Sequence, residues 1–121
     1  MGPATFDDEI EDEFTEIVTV SGELDMSTSS ELRRRVEVCL RNGRKAVIID
    51  LRGLTHMDSS GLAALISAHQ LTQERRGRLA LVIPSESVRR TVEVRGLDRL
   101  FTIVPGREEA LAYARQGQAQ A

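Results

Sequence analysis

A short polar turn, Asp58-Ser59-Ser60-Gly61, separates one apolar run from the apolar pattern of a helix. It supplies a carboxylate, two hydroxyls and a glycine that allows close backbone approach. The first turn of a helix has unpaired backbone N–H groups and about half a positive charge, so it tolerates an anion. A serine in this position is therefore a site that a phosphate can modify.

The alternative is a plain helix cap, because Asp and Ser are preferred N-cap residues. Spacing alone favours this alternative. However, only one residue can be the N-cap, although Asp58, Ser59 and Ser60 are all candidates. Gly61 would also cost about 1 kcal/mol relative to alanine inside a helix. A glycine there lets another backbone come close, which capping does not require.

Four short runs in the chain are apolar and rich in β-branched residues, which predicts covered strands. They are residues 17–20, 46–51, 79–83 and 101–104. The polar turn follows the second of these strands. Ligands of open α/β sheets usually bind at such a position, where the carboxyl end of a strand leads into a helix.

Four helices are predicted between and after these strands. The first has apolar residues at i, i+4, i+7 and i+8, namely Leu32, Val36, Cys39 and Leu40. Thr28 and Glu31 have the spacing of a capping box at its start. The second helix covers about residues 60–75, the third follows Ser85 as N-cap, and the fourth begins near Gly106.

This alternation predicts a single small α/β domain with a mixed, mostly parallel sheet of about four to five strands and about four flanking helices. Seven of the 19 acids lie within the first 16 residues. Residues 1–15 are therefore predicted to be an acidic segment, either an edge strand or a flexible arm. Residues 16–115 would form the domain, and residues 116–121 a tail that frays.

Charge and composition exclude several classes of protein. The net charge is −3, which disfavours nucleic-acid binding. Cys39 is the one cysteine, so no intrachain disulfide can form and a reducing compartment is expected. No apolar run approaches the roughly 18 residues of a membrane span, and the acidic start does not resemble a targeting signal. These features predict a cytoplasmic protein without a membrane partner.

An enzyme is a weaker interpretation of the polar turn. Ser59, His56 and either Asp50 or Asp58 would make a nominal catalytic set, but no G-x-S-x-G nucleophile elbow is present. His56, Asp58 and Asp25 do not have the spacing of metal ligands. No phosphate-binding loop is recognised at GREEALA either. We therefore expect no catalysis, no metal and no cofactor.

Three linked motifs extend the interpretation of the polar turn as a phosphorylation site. They are VIIDLRGLTHMDSSGLAALI, the upstream VSGELDMSTSSELR and the downstream GLDRLF. Together they resemble the STAS domain of bacterial anti-sigma factor antagonists, over about residues 17–113. The resemblance implies a small sheet flanked by helices, in agreement with the predicted elements.

The resemblance also implies partner switching. The unmodified protein would bind an anti-sigma factor that is a serine kinase and carries the ATP, so that the sigma factor is released. Phosphorylation of the hydroxyl residue after the aspartate, here Ser59, would end binding, and a serine phosphatase would reverse it. The implied partner-binding residues are Gly22, Glu23, Asp25, Asp58, Ser60 and Gly61.

A second interpretation keeps the same fold and changes the role. The chain would then be a STAS scaffold or interaction module of a stress-signalling complex that acts on an effector other than a sigma factor. Homo-oligomerisation would favour the scaffold, whereas a monomer that binds one kinase would favour the antagonist.

Overall fold

The computed structural model describes residues 4–83 and 85–119, which form five strands, four α-helices and a short 3-10 helix. In chain order these are β1 (Thr5–Ile10), β2 (Thr15–Leu24), α1 (Ser29–Arg41), β3 (Ala46–Met57), α2 (Ser59–Glu74), β4 (Arg78–Val82), α3 (Glu86–Val94), the 3-10 helix (Leu97–Arg99), β5 (Thr102–Val104) and α4 (Arg107–Ala119).

The strands form one sheet in the order β1-β2-β3-β4-β5. β1 is antiparallel to β2, and the other three pairs are parallel. The predicted α/β class with a mixed, mostly parallel sheet is thus confirmed. Part of the acidic segment forms β1, an edge strand that carries Asp7, Asp8 and Glu9 and pairs only with β2.

Helices cover both faces of the sheet. The larger apolar core lies between the sheet and α1, α2 and α3, and includes Val18, Leu32, Ile49, Leu65, Leu81 and Val92. A smaller core lies under α4 and includes Ile17, Ile48, Val82, Ala110 and Ala114. The four apolar residues predicted for the buried stripe of α1 are its buried residues. No helix in the described part of the chain combines the length and apolar character of a membrane crossing.

The end predicted for the apolar run at residues 46–51, which forms β3, is wrong. β3 continues six residues beyond Leu51, to Met57, because β2 also continues, to Leu24, and remains paired with it. Backbone pairing therefore extends through residues whose polar side chains indicated a turn. Consequently the polar turn contains one residue outside regular structure, Asp58. The sequence GELD, residues 22–25 of the upstream motif, spans the end of β2, which stops at Leu24.

The predicted capping box at α1 is also wrong. The Thr28 hydroxyl donates to the Glu23 carbonyl at 3.1 Å and accepts from the Asp25 N–H at 3.0 Å. Thr28 is in the right-handed region (φ −119°, ψ −15°), not in the extended conformation of an N-cap side chain that reaches forward. Glu31 instead pairs with Arg34 and Arg35.

The predicted start of the third helix is confirmed. Ser85 is the N-cap of α3, and its hydroxyl accepts from the Val88 N–H at 3.5 Å, whereas Pro84 lies outside the described residues. α4 includes residues 116–119 of the tail that we expected to fray. Residues 120 and 121 lie outside the described part of the chain.

One buried carboxylate links the sheet to α4. The Asp50 side chain is 0% exposed, and Arg107 Nε donates to it at 2.7 Å. Arg52 Nε also donates to it, at 3.0 Å. Arg107 continues to the Thr19 hydroxyl at 2.9 Å and to Glu9 at 3.2 Å, so this cluster joins β1, β2, β3 and α4.

The charge of Asp50 depends on these partners. Burial acts to raise the pKa of its carboxyl group, but hydrogen bonds from Arg107 and Arg52 outweigh burial and hold the pKa below its ordinary value. Asp50 is therefore ionised in the folded protein at neutral pH. Since the folded pKa is lowered, its contribution to stability is present above the unfolded pKa and is lost as the pH falls through the folded value.

We predict that Asp50→Asn lowers the free energy of unfolding by about 3 kcal/mol at pH 7, because it leaves the Arg107 guanidinium without its buried partner. The difference from wild type should shrink below pH 4. Urea unfolding followed by circular dichroism across this pH range measures both effects. Asp7→Asn, at an exposed position of β1, is the matched control. Equal stability of Asp50→Asn and wild type at pH 7 would contradict the assignment of Asp50 as the ionised, buried partner of Arg107.

Candidate functional site

The parallel pairing of β2 and β3 brings two predicted binding segments together. Leu24 at the end of β2 is paired with Met57 at the end of β3. The Asp58 N–H then donates to the Leu24 carbonyl at 3.3 Å. The residues that follow the two strands, from Asp25 and from Asp58 onwards, therefore lie side by side at the carboxyl ends of the strands.

Asp58 is the N-cap of α2, which decides among the three candidates for that role. It is extended (φ −99°, ψ −171°), and its Oδ1 accepts from the Ser60 and Gly61 N–H groups at 2.9 and 3.1 Å. Ser59 is thus the first helical residue and is exposed. Among the described residues, no side-chain hydrogen bond engages the Ser59 hydroxyl, so this hydroxyl faces solvent at a helix N-terminus.

Gly61 allows α2 to pack directly on β2. It is buried, and a Cβ atom there would lie 2.6 Å from the Leu24 carbonyl oxygen and 2.7 Å from Met57 Cγ. The backbone that comes close to this glycine is therefore the chain's own strand. Gly61 belongs to the inner support of the site, beneath Ser59 and Ser60.

The GELD side of the site is shaped by an irregularity in β2. Gly22 has φ +91°, in the left-handed region that favours glycine, and the register of β2 with β3 shifts between Gly22 and Glu23. The Gly22 carbonyl accepts from the Thr55 hydroxyl at 3.0 Å, and Glu23 is paired with His56. The irregularity sets where Glu23 and the next residues emerge.

Asp25 organises the turn that leads to α1. Its Oδ1 accepts from the Ser27 N–H at 3.0 Å and the Ser27 hydroxyl at 2.7 Å, and lies 3.2 Å from the Thr28 hydroxyl oxygen. The hydrogen bond from the Ser27 side chain holds the pKa of Asp25 below its ordinary value, although desolvation opposes it. Its carboxylate is therefore committed to its own turn, where it fixes the backbone.

A shallow groove beside Ser60 was not anticipated from the sequence. It lies between α1 and α2, with a volume of about 310 Å³. Its lining residues are Ser29, Ser30, Arg33, Ser60, Ala63, Ala64 and Ser67. Ala63 is exposed there, whereas Ala64 and Ala68 are buried.

A second unanticipated feature is Met26, which is 80% exposed directly after Asp25. Its signal in the sequence is one apolar residue inside the otherwise polar stretch DMSTSS. That signal gave no indication of exposure, since a residue between a strand and a helix can equally point into the core.

The nominal catalytic set does not assemble. Asp50 is bound by Arg107 and Arg52, and among the described residues no hydrogen bond joins His56 to Ser59 or to Asp50. Likewise, no three His, Cys, Asp or Glu residues gather as a metal site within residues 4–83 and 85–119. The described site thus offers an exposed hydroxyl at the N-terminus of α2.

A family model for the STAS domain matches residues 6–110. The chain belongs to the STAS domain family. The match begins inside β1 and covers most of the acidic edge strand. The fold expected from the resemblance is therefore confirmed together with the family.

Similar proteins carry consistent names. An anti-sigma F factor antagonist from Paenibacillus polymyxa is 29% identical over 96 residues, which cover 78% of this chain and 82% of the relative. An anti-sigma-B factor antagonist from Staphylococcus aureus (strain NCTC 8325 / PS 47) is 29% identical over 98 residues, 81% of this chain and 90% of the relative. The crystal structure of an anti-sigma factor antagonist from Mycobacterium paratuberculosis has a TM-score of 0.79 at 28% identity, covering 93% and 95% of the two chains.

We predict that Gly61→Ala lowers the free energy of unfolding by at least about 1 kcal/mol, because the added methyl group displaces the Leu24 backbone. This loss exceeds the gain in helix propensity. Urea unfolding measures the change. Gly106→Ala is the matched control, since its Cβ would meet only the flexible end of Glu109, at 3.0 Å. A more stable Gly61→Ala protein would contradict the close packing of α2 on β2.

Proposed function

We propose that this STAS protein is an anti-sigma factor antagonist whose unphosphorylated form binds an anti-sigma factor and thereby releases a sigma factor. The names of the relatives support this role. The observation that carries the mechanism is the exposed Ser59 hydroxyl at the first position of α2, next to the Asp58 cap.

In this proposal the anti-sigma factor is also a serine kinase that supplies its own ATP. The γ-phosphoryl group passes to Ser59 Oγ, the hydroxyl proton is lost and ADP leaves. A serine phosphatase restores the hydroxyl by hydrolysis. The antagonist itself performs no catalysis and acts in the cytoplasm.

Ser59 is a better acceptor than Ser60. Ser59 is exposed, whereas Ser60 is half-buried and lines the groove between α1 and α2. The backbone N–H of Ser60 is also bound by Asp58, which holds this turn in place while a kinase approaches. A phosphoryl donor therefore reaches the Ser59 hydroxyl with less rearrangement.

The proposed contact surface combines both strand ends. Its residues are Gly22, Glu23, Asp25, Asp58, Ser59, Ser60 and Gly61. Within it, the two glycines and Asp25 set the path of the backbone, because their positions are fixed by close packing, positive φ or internal hydrogen bonds. Glu23 and the two serines offer side chains to the partner.

The energetics favour a switch of binding over unfolding. A phosphate adds a charge of about −1.5 to −2 beside the Asp58 carboxylate. The helix N-terminus compensates by roughly 0.3 to 2 kcal/mol, so the folded domain survives. In a complex the phosphate must lose water between packed surfaces, and a penalty of about 2.7 kcal/mol weakens binding a hundredfold.

We predict one phosphate on Ser59 after incubation with ATP and the anti-sigma kinases of the same organism. Intact-mass and peptide mass spectrometry locate it. Ser59→Ala should remain unmodified, while Ser60→Ala, the matched neighbour, should still be phosphorylated. The phosphorylated protein should bind its kinase at least about a hundredfold more weakly in calorimetry.

Two results would contradict the proposal. A phosphate on Ser60 or elsewhere, with Ser59 unmodified, would refute Ser59 as the acceptor. Absence of binding to every candidate anti-sigma factor, combined with self-association in ultracentrifugation, would replace the antagonist with the scaffold interpretation.

A further inference from the structure

Met26 presents an apolar side chain to solvent beside the proposed contact surface. It is 80% exposed and follows Asp25 immediately. Leu24, two residues earlier, accepts the hydrogen bond from the Asp58 N–H at 3.3 Å. Met26 is therefore a close neighbour of the helix N-terminus that displays Ser59.

Single exposed apolar residues are common, so exposure alone carries no argument. The backbone around Met26 is also held by hydrogen bonds on both sides. The Asp25 carbonyl accepts from the Thr28 and Ser29 N–H groups at 3.1 and 2.8 Å, and the Asp25 carboxylate binds Ser27. The Thr28 side chain, itself buried, ties the turn back to Glu23.

A fixed backbone with a flexible apolar side chain suits recognition. Little backbone entropy is lost when a partner covers Met26, because the turn is already ordered. The methionine side chain has three rotatable bonds and adapts to an irregular apolar pocket, and methionine is enriched in the centres of protein interfaces.

The size of an interface brings Met26 within reach of the kinase. A partner that phosphorylates Ser59 must place its phosphoryl donor at the Ser59 hydroxyl. A specific interface covers about 800 Å² on each partner, a disc roughly 32 Å across. Successive Cα atoms are about 3.8 Å apart, so Met26 is about 8 Å or less from Leu24, which contacts Asp58. A disc that includes Ser59 has room for Met26.

We propose that Met26 is an anchor residue that inserts into an apolar pocket of the anti-sigma factor, next to the groups that act on Ser59. This inference rests on the proposed function and adds a residue that is absent from the partner-binding residues implied by the resemblance. Asp25 and Thr28 act here as positioning residues that hold Met26 outward.

Binding of the unphosphorylated protein to its anti-sigma factor, loaded with a non-hydrolysable ATP analogue, tests the proposal by calorimetry. Met26→Ala should weaken binding at least about tenfold, equivalent to about 1.4 kcal/mol. Met26→Leu should stay within about threefold of wild type. Val94→Ala is the matched control, because Val94 is also 80% exposed but ends α3, which runs back from the carboxyl edge of the sheet.

The outcomes separate the two proposals. If wild type binds and Met26→Ala binds equally well, the anchor is refuted and the antagonist role stands. If wild type binds no candidate anti-sigma factor, both fall. If Met26→Ala changes only self-association in ultracentrifugation, the occupant is a second copy of the chain and the anchor proposal is overturned. Thermal unfolding of each variant verifies that an exposed substitution leaves the fold unchanged.

Discussion

The parallel pairing of β2 with β3, maintained to the last residue of each strand, is the constraint on which the site depends. It places Leu24 beside Met57 and lets Asp58 bond to the Leu24 carbonyl. Gly61 then packs under the same carbonyl. A slip of one residue in this register would turn the buried side chains outward and separate the two turns. The geometry at Ser59 is therefore a property of the sheet as much as of the helix.

The two faces of the sheet provide different kinds of support. The face under α1, α2 and α3 is an apolar core, which fixes the helices that carry the site. The other face carries the Asp50–Arg107 cluster, which ties the edge strand and α4 to the centre of the sheet. Ser59 belongs to neither support, and in the proposed switch a charge added there changes what can bind and leaves both supports in place.

Local patterns predicted the central strands and the helices, because these segments bury continuous apolar faces. They did not predict that β3 continues past Leu51, since residues such as Arg52 and Thr55 are polar and exposed, and only pairing with β2 makes them a strand. The role of Thr28 was missed for a related reason. Its partners, Glu23 and Asp25, lie upstream, and an irregular strand end sets their position. The residue types at the site were thus predictable, but the strand pairing and the hydrogen bonds that fix their positions were not.

The acidity of β1 has a consequence for how copies of the protein behave at high concentration. A strand paired on one side presents a row of free backbone groups that can template another strand and start a growing fibre. Here that strand carries Asp7, Asp8 and Glu9. Asp8 and Glu9 are paired with Arg35 and Arg107, so the edge carries fixed charged side chains of both signs, which disfavour the addition of another strand. The acidic residues that suggested a flexible arm thus limit association between the edges of two molecules.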